Sequence, residues 1–140
     1  EVVRELCERG ANVNAVRTDD GSTALMEASA GGRLEVVREL CKRSANVNAA
    51  CTDGWTALIW AIFYGHLGIA QLLVEGGANV SAAATDNGYT ALMLASEKGH
   101  LETVRFLLSR GASKTALNSA GKTAYALSTA HPNIRALVKP

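Results

Sequence analysis

Apolar side chains along this chain fall at helical spacing in short bursts. Leu34, Val36, Val37, Leu40 and Cys41 share one helix face, against polar Glu35, Arg38, Glu39 and Lys42, so the segment predicts an amphipathic helix with one buried side. Residues 57–64 form an unbroken apolar run about two helical turns long, closed by Gly65. Gly32 and Gly99 close the equivalent stretches, as a left-handed residue after a helix does. Thr23, Thr56, Thr90 and Thr123 each precede such a stretch, where a hydroxyl can accept from a free helix N–H, so they predict N-caps. Each unit therefore predicts helix, turn, helix and extended loop. A Gly-Ala-Asn-Val-Asn segment ends the second helix, and a Thr-Asp-Gly cluster marks a turn on a protruding loop.

These units repeat in phase. Gly21-Ser22-Thr23-Ala24-Leu25 returns as Gly54-Trp55-Thr56-Ala57-Leu58, Gly88-Tyr89-Thr90-Ala91-Leu92 and Gly121-Lys122-Thr123-Ala124-Tyr125, with the threonines 33, 34 and 33 residues apart. Gly10-Ala11-Asn12-Val13-Asn14-Ala15 returns at Ser44 and Gly77 and decays to Gly111-Ala112-Ser113, while Gly32-Arg33-Leu34-Glu35 returns at Gly65 and Gly99. Alanines hold one position (Ala24, Ala57, Ala91, Ala124) and a second (Ala28, Ala61, Ala95), which lets neighbouring first helices approach to about 8–10 Å. One unit cannot bury its own apolar face, so stability must come from stacking neighbours into a quasi-one-dimensional core.

The three blocks together resemble the ankyrin repeat family over essentially the whole chain: G-x-T-A-L opens the first helix, G-H-L-E-x-V the second, and G-A-N-V-N-A closes it. The resemblance implies an all-α α-solenoid of stacked ankyrin repeats, helix-turn-helix units joined by protruding β-turn loops. On this reading residues 1–140 form one ankyrin-repeat domain. Residues 1–16 are the second helix and loop of a partial repeat, 17–49, 50–82 and 83–115 are full repeats, and 116–140 is a capping repeat. Glu1 to Cys7 match Glu35 to Cys41, so the chain is expected to be a fragment of a longer array. Two departures stand out. The family's frequent Thr-Pro-Leu-His is Thr-Ala-Leu followed by Met26, Ile59 or Met93, and two units carry one extra loop residue, at Asp19-Asp20-Gly21 and Asp86-Asn87-Gly88. Some family members are hydroxylated on the asparagine of Val-Asn-Ala, a position held here by Asn14 and Asn48 and by Ser81 in the third unit.

Composition narrows the function without naming it. The hydrophobic share is 48% and the formal net charge +1, so no global field drives the chain onto nucleic acid or membrane. The longest apolar run is far short of the ~18 residues of a membrane-spanning helix. Three cysteines, Cys7, Cys41 and Cys51, fit neither a metal nor a disulfide framework and favour a cytoplasmic or nuclear, reducing setting. Cys7 and Cys41 stand one repeat apart, near ~10 Å and beyond the ~7 Å limit of a disulfide; they read as core thiols. Ala120-Gly121-Lys122-Thr123 mimics the end of a phosphate loop, but Ala116 stands where that motif requires glycine. His66, His100 and His131 lack metal spacing and read as turn histidines. No catalytic residue, metal or cofactor is expected.

Aromatic placement carries the functional expectation. Five of the seven aromatics lie between Trp55 and Tyr89, and no lysine or arginine stands from Ser44 to Glu97, against the acids Asp53, Glu75, Asp86 and Glu97. Residues 98–140 hold seven basic side chains and only Glu102 as an acid, a run that reads as a solvated face. Trp60 shares its position with Leu94 and Leu127 and reads as core. Trp55 and Tyr89 occupy a slot held elsewhere by Ser22 and Lys122, and Phe63-Tyr64 match Ala30-Gly31 and Glu97-Lys98, so these four read as exposed contacts. The family resemblance implies a non-catalytic protein-protein interaction module, monomeric, that binds another protein or peptide through finger loops and the concave face of the first helices. Here that surface maps to Trp55, Tyr89, Phe63 and Tyr64, with Asp53, Glu97 and Lys98 nearby. Two alternatives are a ligand-sensing regulatory segment of a larger enzyme, stacking a flat ligand, and a scaffold fragment with function in flanking repeats.

Overall fold

Threonine side chains begin every first helix in the computed structural model, which describes residues 12–140. The expectations for residues 1–11, including the helix match of Glu1 to Cys7, lie outside the described residues. The hydroxyl oxygens of Thr23, Thr56, Thr90 and Thr123 accept from the backbone N–H three residues on, at Met26, Ile59, Met93 and Ala126, over 3.2–3.3 Å. The helices so capped are α1 (Ala24–Ala30), α3 (Ala57–Phe63), α5 (Ala91–Lys98) and α7 (Ala124–Leu127), alternating with second helices α2 (Leu34–Lys42), α4 (Leu67–Glu75), α6 (Leu101–Ser109) and α8 (Pro132–Val138). Gly32, Gly65 and Gly99 take positive φ after the first helices, and the next N–H turns back to the carbonyl of Ala28, Ala61 or Ala95.

The chain divides into two compact units, Glu1–Ala78 and Asn79–Pro140. In the first, α1 packs on α3 and α2 on α4. Leu25, Met26, Val37, Leu40, Leu58, Ile59, Ile62 and Leu73 form its core at 2% exposure or less. Alanine makes the close approach at Ala28 and Ala61, both buried, whereas Ala24 stays exposed. In the second unit α5 packs on α6 and α7, and α8 on α7 and α6. Leu92, Met93, Val104, Leu107, Ile134 and Val138 are its core. Pro132 opens α8 at a position where its missing N–H costs nothing. Ser29 and Ser96, at matching positions in α1 and α5, bury hydroxyls with no hydrogen-bond partner; Ile62 holds that position in α3.

Fingers join the repeats as tight antiparallel turns, with isolated bridges at Val16–Thr23, Ala50–Thr56 and Ala83–Thr90. The extra residue expected in two of them is visible in the hydrogen bonds. Gly21 donates to Arg17 and Gly88 to Ala84, one residue wider than Gly54 to Cys51 and Gly121 to Asn118. Within each unit the wider finger presents a carbonyl to the next: Thr52 donates its amide to Asp20 O at 2.9 Å, and Ser119 to Asn87 O at 2.9 Å. The asparagine segments knit as well, since Asn14 Oδ1 accepts from the Asn46 amide at 2.7 Å and Asn48 Nδ2 donates to Gly77 O at 3.1 Å.

Ser44 is the one non-glycine described residue at positive φ, 64°. Its counterparts Gly77 and Gly111 show φ of 99° and 85°, so the turn after the second helix demands a left-handed residue and glycine meets it without strain. Ser44→Gly is expected to raise unfolding free energy by about 0.5–1 kcal/mol, the relieved left-handed strain less glycine's larger unfolded-state entropy. Chemical denaturation followed by circular dichroism checks this; an unchanged or lower midpoint contradicts it.

Candidate functional site

Four aromatic rings gather on the second full repeat, within the first unit. Trp55 follows Gly54 on the finger, its carbonyl accepting from Cys51 N at 3.0 Å, while Trp60 and Phe63 lie on α3 and Tyr64 is the residue that ends it. Helical spacing sets their geometry. Trp60 and Tyr64, four apart, stack with centroids 6.1 Å apart and planes at 11°, and Trp60 and Phe63, three apart, meet edge-on at 6.3 Å. Trp55 closes the cluster, 4.6 Å from Trp60 and 5.3 Å from Phe63. Such pairs contribute about 0.5–1.5 kcal/mol each beyond the area they bury.

Exposure within the cluster is uneven. Tyr64 is 53% exposed, whereas Trp55, Phe63 and Trp60 are half-buried. Trp55 and Phe63 thus support the patch as much as they present it. Trp60 departs further from expectation: read as core from Leu94 and Leu127, it lines an open groove instead. The reason lies in the preceding repeat. Positions held by Trp55, Trp60 and Phe63 in the second full repeat are held by Ser22, Glu27 and Ala30 in the first, and the size difference leaves a cavity of about 200 Å³ lined by Asp20, Ser22, Met26, Glu27, Ala30 and Trp60. Comparing adjacent repeats position by position was the signal that could have found it.

The groove's rim is acidic. Arg17 donates to Glu27 at 3.1 Å and to Asp19 at 3.2 Å, which raises its guanidinium pKa above the ordinary value, Glu27 contributing most. The Ser22 amide, donating to Asp20 Oδ1 at 2.9 Å, together with the Ser22 hydroxyl, lowers the Asp20 carboxyl below its ordinary value. Asp53 is exposed on the finger that carries Trp55.

In the second unit, Tyr89 occupies the finger slot equivalent to Trp55 and is half-buried. Its hydroxyl donates to Glu97 Oε2 at 2.9 Å, tying finger to α5. Burial first, then the Glu97 bond and charge, push the phenol above its ordinary value. Lys98 is exposed beside Glu97 at the end of α5. The aromatics of the basic run are engaged by its own arginines: the Arg110 guanidinium carbon stands 5.3 Å from the Phe106 ring centre, and that of Arg135 3.9 Å from the centre of Tyr125.

The remaining chemistry-bearing residues serve the turns. His66 Nε2 donates to Ala30 O at 3.2 Å and His131 Nε2 to Glu97 O at 3.1 Å, so each fastens a first helix's C-terminal end in the preceding repeat. Thr123 caps α7, and no helix N-terminus follows a strand there. Burial raises the Cys41 thiol pKa, which suits packing and disfavours reactivity. Among the described residues no group of three or more His, Cys, Asp or Glu could hold a metal ion, and no helix is long and apolar enough to cross a membrane.

A family model for ankyrin repeats in three copies matches residues 1–84, 46–118 and 79–139. A comparison with curated proteins gives no match. The matched segments span the fingers and helix pairs described above, and repeats of this kind are generally protein-protein interaction modules. With its all-α helix pairs and a match extending over residues 1–139, the chain belongs to the ankyrin repeat family.

Proposed function

We propose that this chain is a non-catalytic binding module that takes a protein partner through its finger loops and first helices. The observation that carries the reading is the aromatic cluster of the second full repeat, where an exposed Tyr64 rests on Trp60 and Phe63. Large apolar rings held at a surface by neighbouring rings lose little rotamer freedom on docking, which is what a binding hot spot requires. Trp55 and Phe63 give the contact its apolar breadth, and Asp53 adds negative charge at the finger. In the second unit, Tyr89, Glu97 and Lys98 form a polar counterpart in which the Tyr89–Glu97 bond fixes one ring edge.

Tyr64 is the cleanest residue to test, because truncating it removes little buried structure. Tyr64→Ala is expected to weaken capture of a partner from cell lysate by fivefold or more, about 1 kcal/mol, with helical circular dichroism unchanged. Trp55→Ala and Phe63→Ala should lower binding and stability together, since both rings support the cluster. An identical set of captured proteins for Tyr64→Ala and the parent chain would overturn the assignment of this face.

A further inference from the structure

The groove beside Trp60 combines three features that a purely apolar docking surface lacks. Its lining joins the Trp60 indole and Met26 to the carboxylates of Asp20 and Glu27, and it opens where Ser22 and Ala30 are too small to fill the space. We propose that this groove receives an arginine side chain from an extended segment of the partner, the guanidinium lying against Trp60 and pairing with the Asp20 and Glu27 carboxylates. The inference rests on the protein-binding reading above and names the chemistry of the partner at one subsite.

Charge decides the sign of the occupant. Among the described residues, the charged side chains that line the groove are Asp20 and Glu27, with Arg17 bonded to Glu27 and Asp19 beside it, and the second full repeat supplies no lysine or arginine, since neither occurs from Ser44 to Glu97. Arg17 reaches Glu27 through Oε1, and Ser22 donates to Asp20; a carboxylate has about four acceptor sites, so both groups keep capacity for a guanidinium. Shape then separates arginine from lysine. A planar guanidinium can stack on a ring and fork to two carboxylate oxygens at once, whereas an ammonium is a strongly hydrated point charge. Elsewhere among the described residues a guanidinium lies over a ring, Arg110 on Phe106 and Arg135 on Tyr125.

Trp55 and Trp60 are the only tryptophans in the sequence, so tryptophan-selective fluorescence and the two indole N–H resonances report on this cluster alone. The probe is N-acetyl-arginine methylamide, titrated at constant ionic strength beside the citrulline analogue, equal in shape and uncharged, the norleucine analogue, and tetramethylammonium. The expected result is a saturable shift of the Trp60 indole by arginine, at least fivefold weaker with citrulline, and reduced fivefold or more in Asp20→Asn/Glu27→Gln. An equal response to citrulline or norleucine, no saturable response to arginine, or a preference for tetramethylammonium each overturns the assignment. Loss of the arginine response with Tyr64-dependent partner capture intact removes this subsite and leaves the binding module standing. An arginine response without Tyr64-dependent capture does the reverse.

Discussion

Gly88→Ala is expected to lower the unfolding free energy of the second unit by about 3 kcal/mol, against about 1 kcal/mol for Gly21→Ala and Gly121→Ala. All three glycines sit at φ of 72–74°, so the left-handed strain on alanine is common to them. Surroundings separate them. A Cβ on Gly88 would stand 2.9 Å from Ser119 N and 3.1 Å from Asn118 Cα, both backbone atoms, whereas on Gly21 its nearest neighbour is Thr52 N at an ordinary 3.5 Å and on Gly121 nothing lies within 4 Å. The Asn118–Ser119 backbone has no room to yield. Ser119 N is bonded to Asn87 O, Asn118 N to Lys122 O, and the Asn118 carboxamide oxygen accepts from Ala120 and Lys122. Urea unfolding by circular dichroism tests the ranking, and equal losses for the three variants would contradict it. Tryptophan emission is silent for this unit, because both indoles lie in the other.

Trp60→Ala should cost about 2–3 kcal/mol, below the 3–5 kcal/mol of a fully buried tryptophan because one side of the ring faces the groove. It would remove ring contacts to Trp55, Phe63 and Tyr64 together. Trp60→Leu, by contrast, should cost under about 1.5 kcal/mol, since leucine is the residue the repeat carries at this position in Leu94, 5% exposed, and in Leu127. The pair separates packing from surface chemistry: leucine keeps the helix contacts but removes the indole wall of the groove. Urea denaturation read by circular dichroism gives both values. A Trp60→Leu loss as large as that of Trp60→Ala would mean that the ring cluster, rather than simple apolar volume, stabilises the repeat.

Most of the fold was legible because each device is local. A threonine three residues before a free N–H, a glycine able to take positive φ, and an extra finger residue each act within a few positions, so spacing alone located them. His66 and His131 serve turns, as their place in the repeat implies, because a side chain at the start of one repeat's second helix falls beside the first helix's end in the repeat before it.

The candidate surface was legible only in part. Sequence alone determined the repeat, its caps, the wide and narrow fingers, and the concentration of aromatics in a stretch without cations. Position equivalence then read Trp60 as core, because Leu94 and Leu127 are apolar. The groove, the support of Tyr64 by its neighbours, and the engagement of Glu27 by Arg17 and of Glu97 by Tyr89 arise only once the repeats fold and pack. The physical reason is that a cavity depends on the difference in volume between side chains facing each other across two repeats. Burial of a position depends on the repeat packed against it as well as on its own, and Ser22 and Ala30 are too small to cover the Trp60 indole.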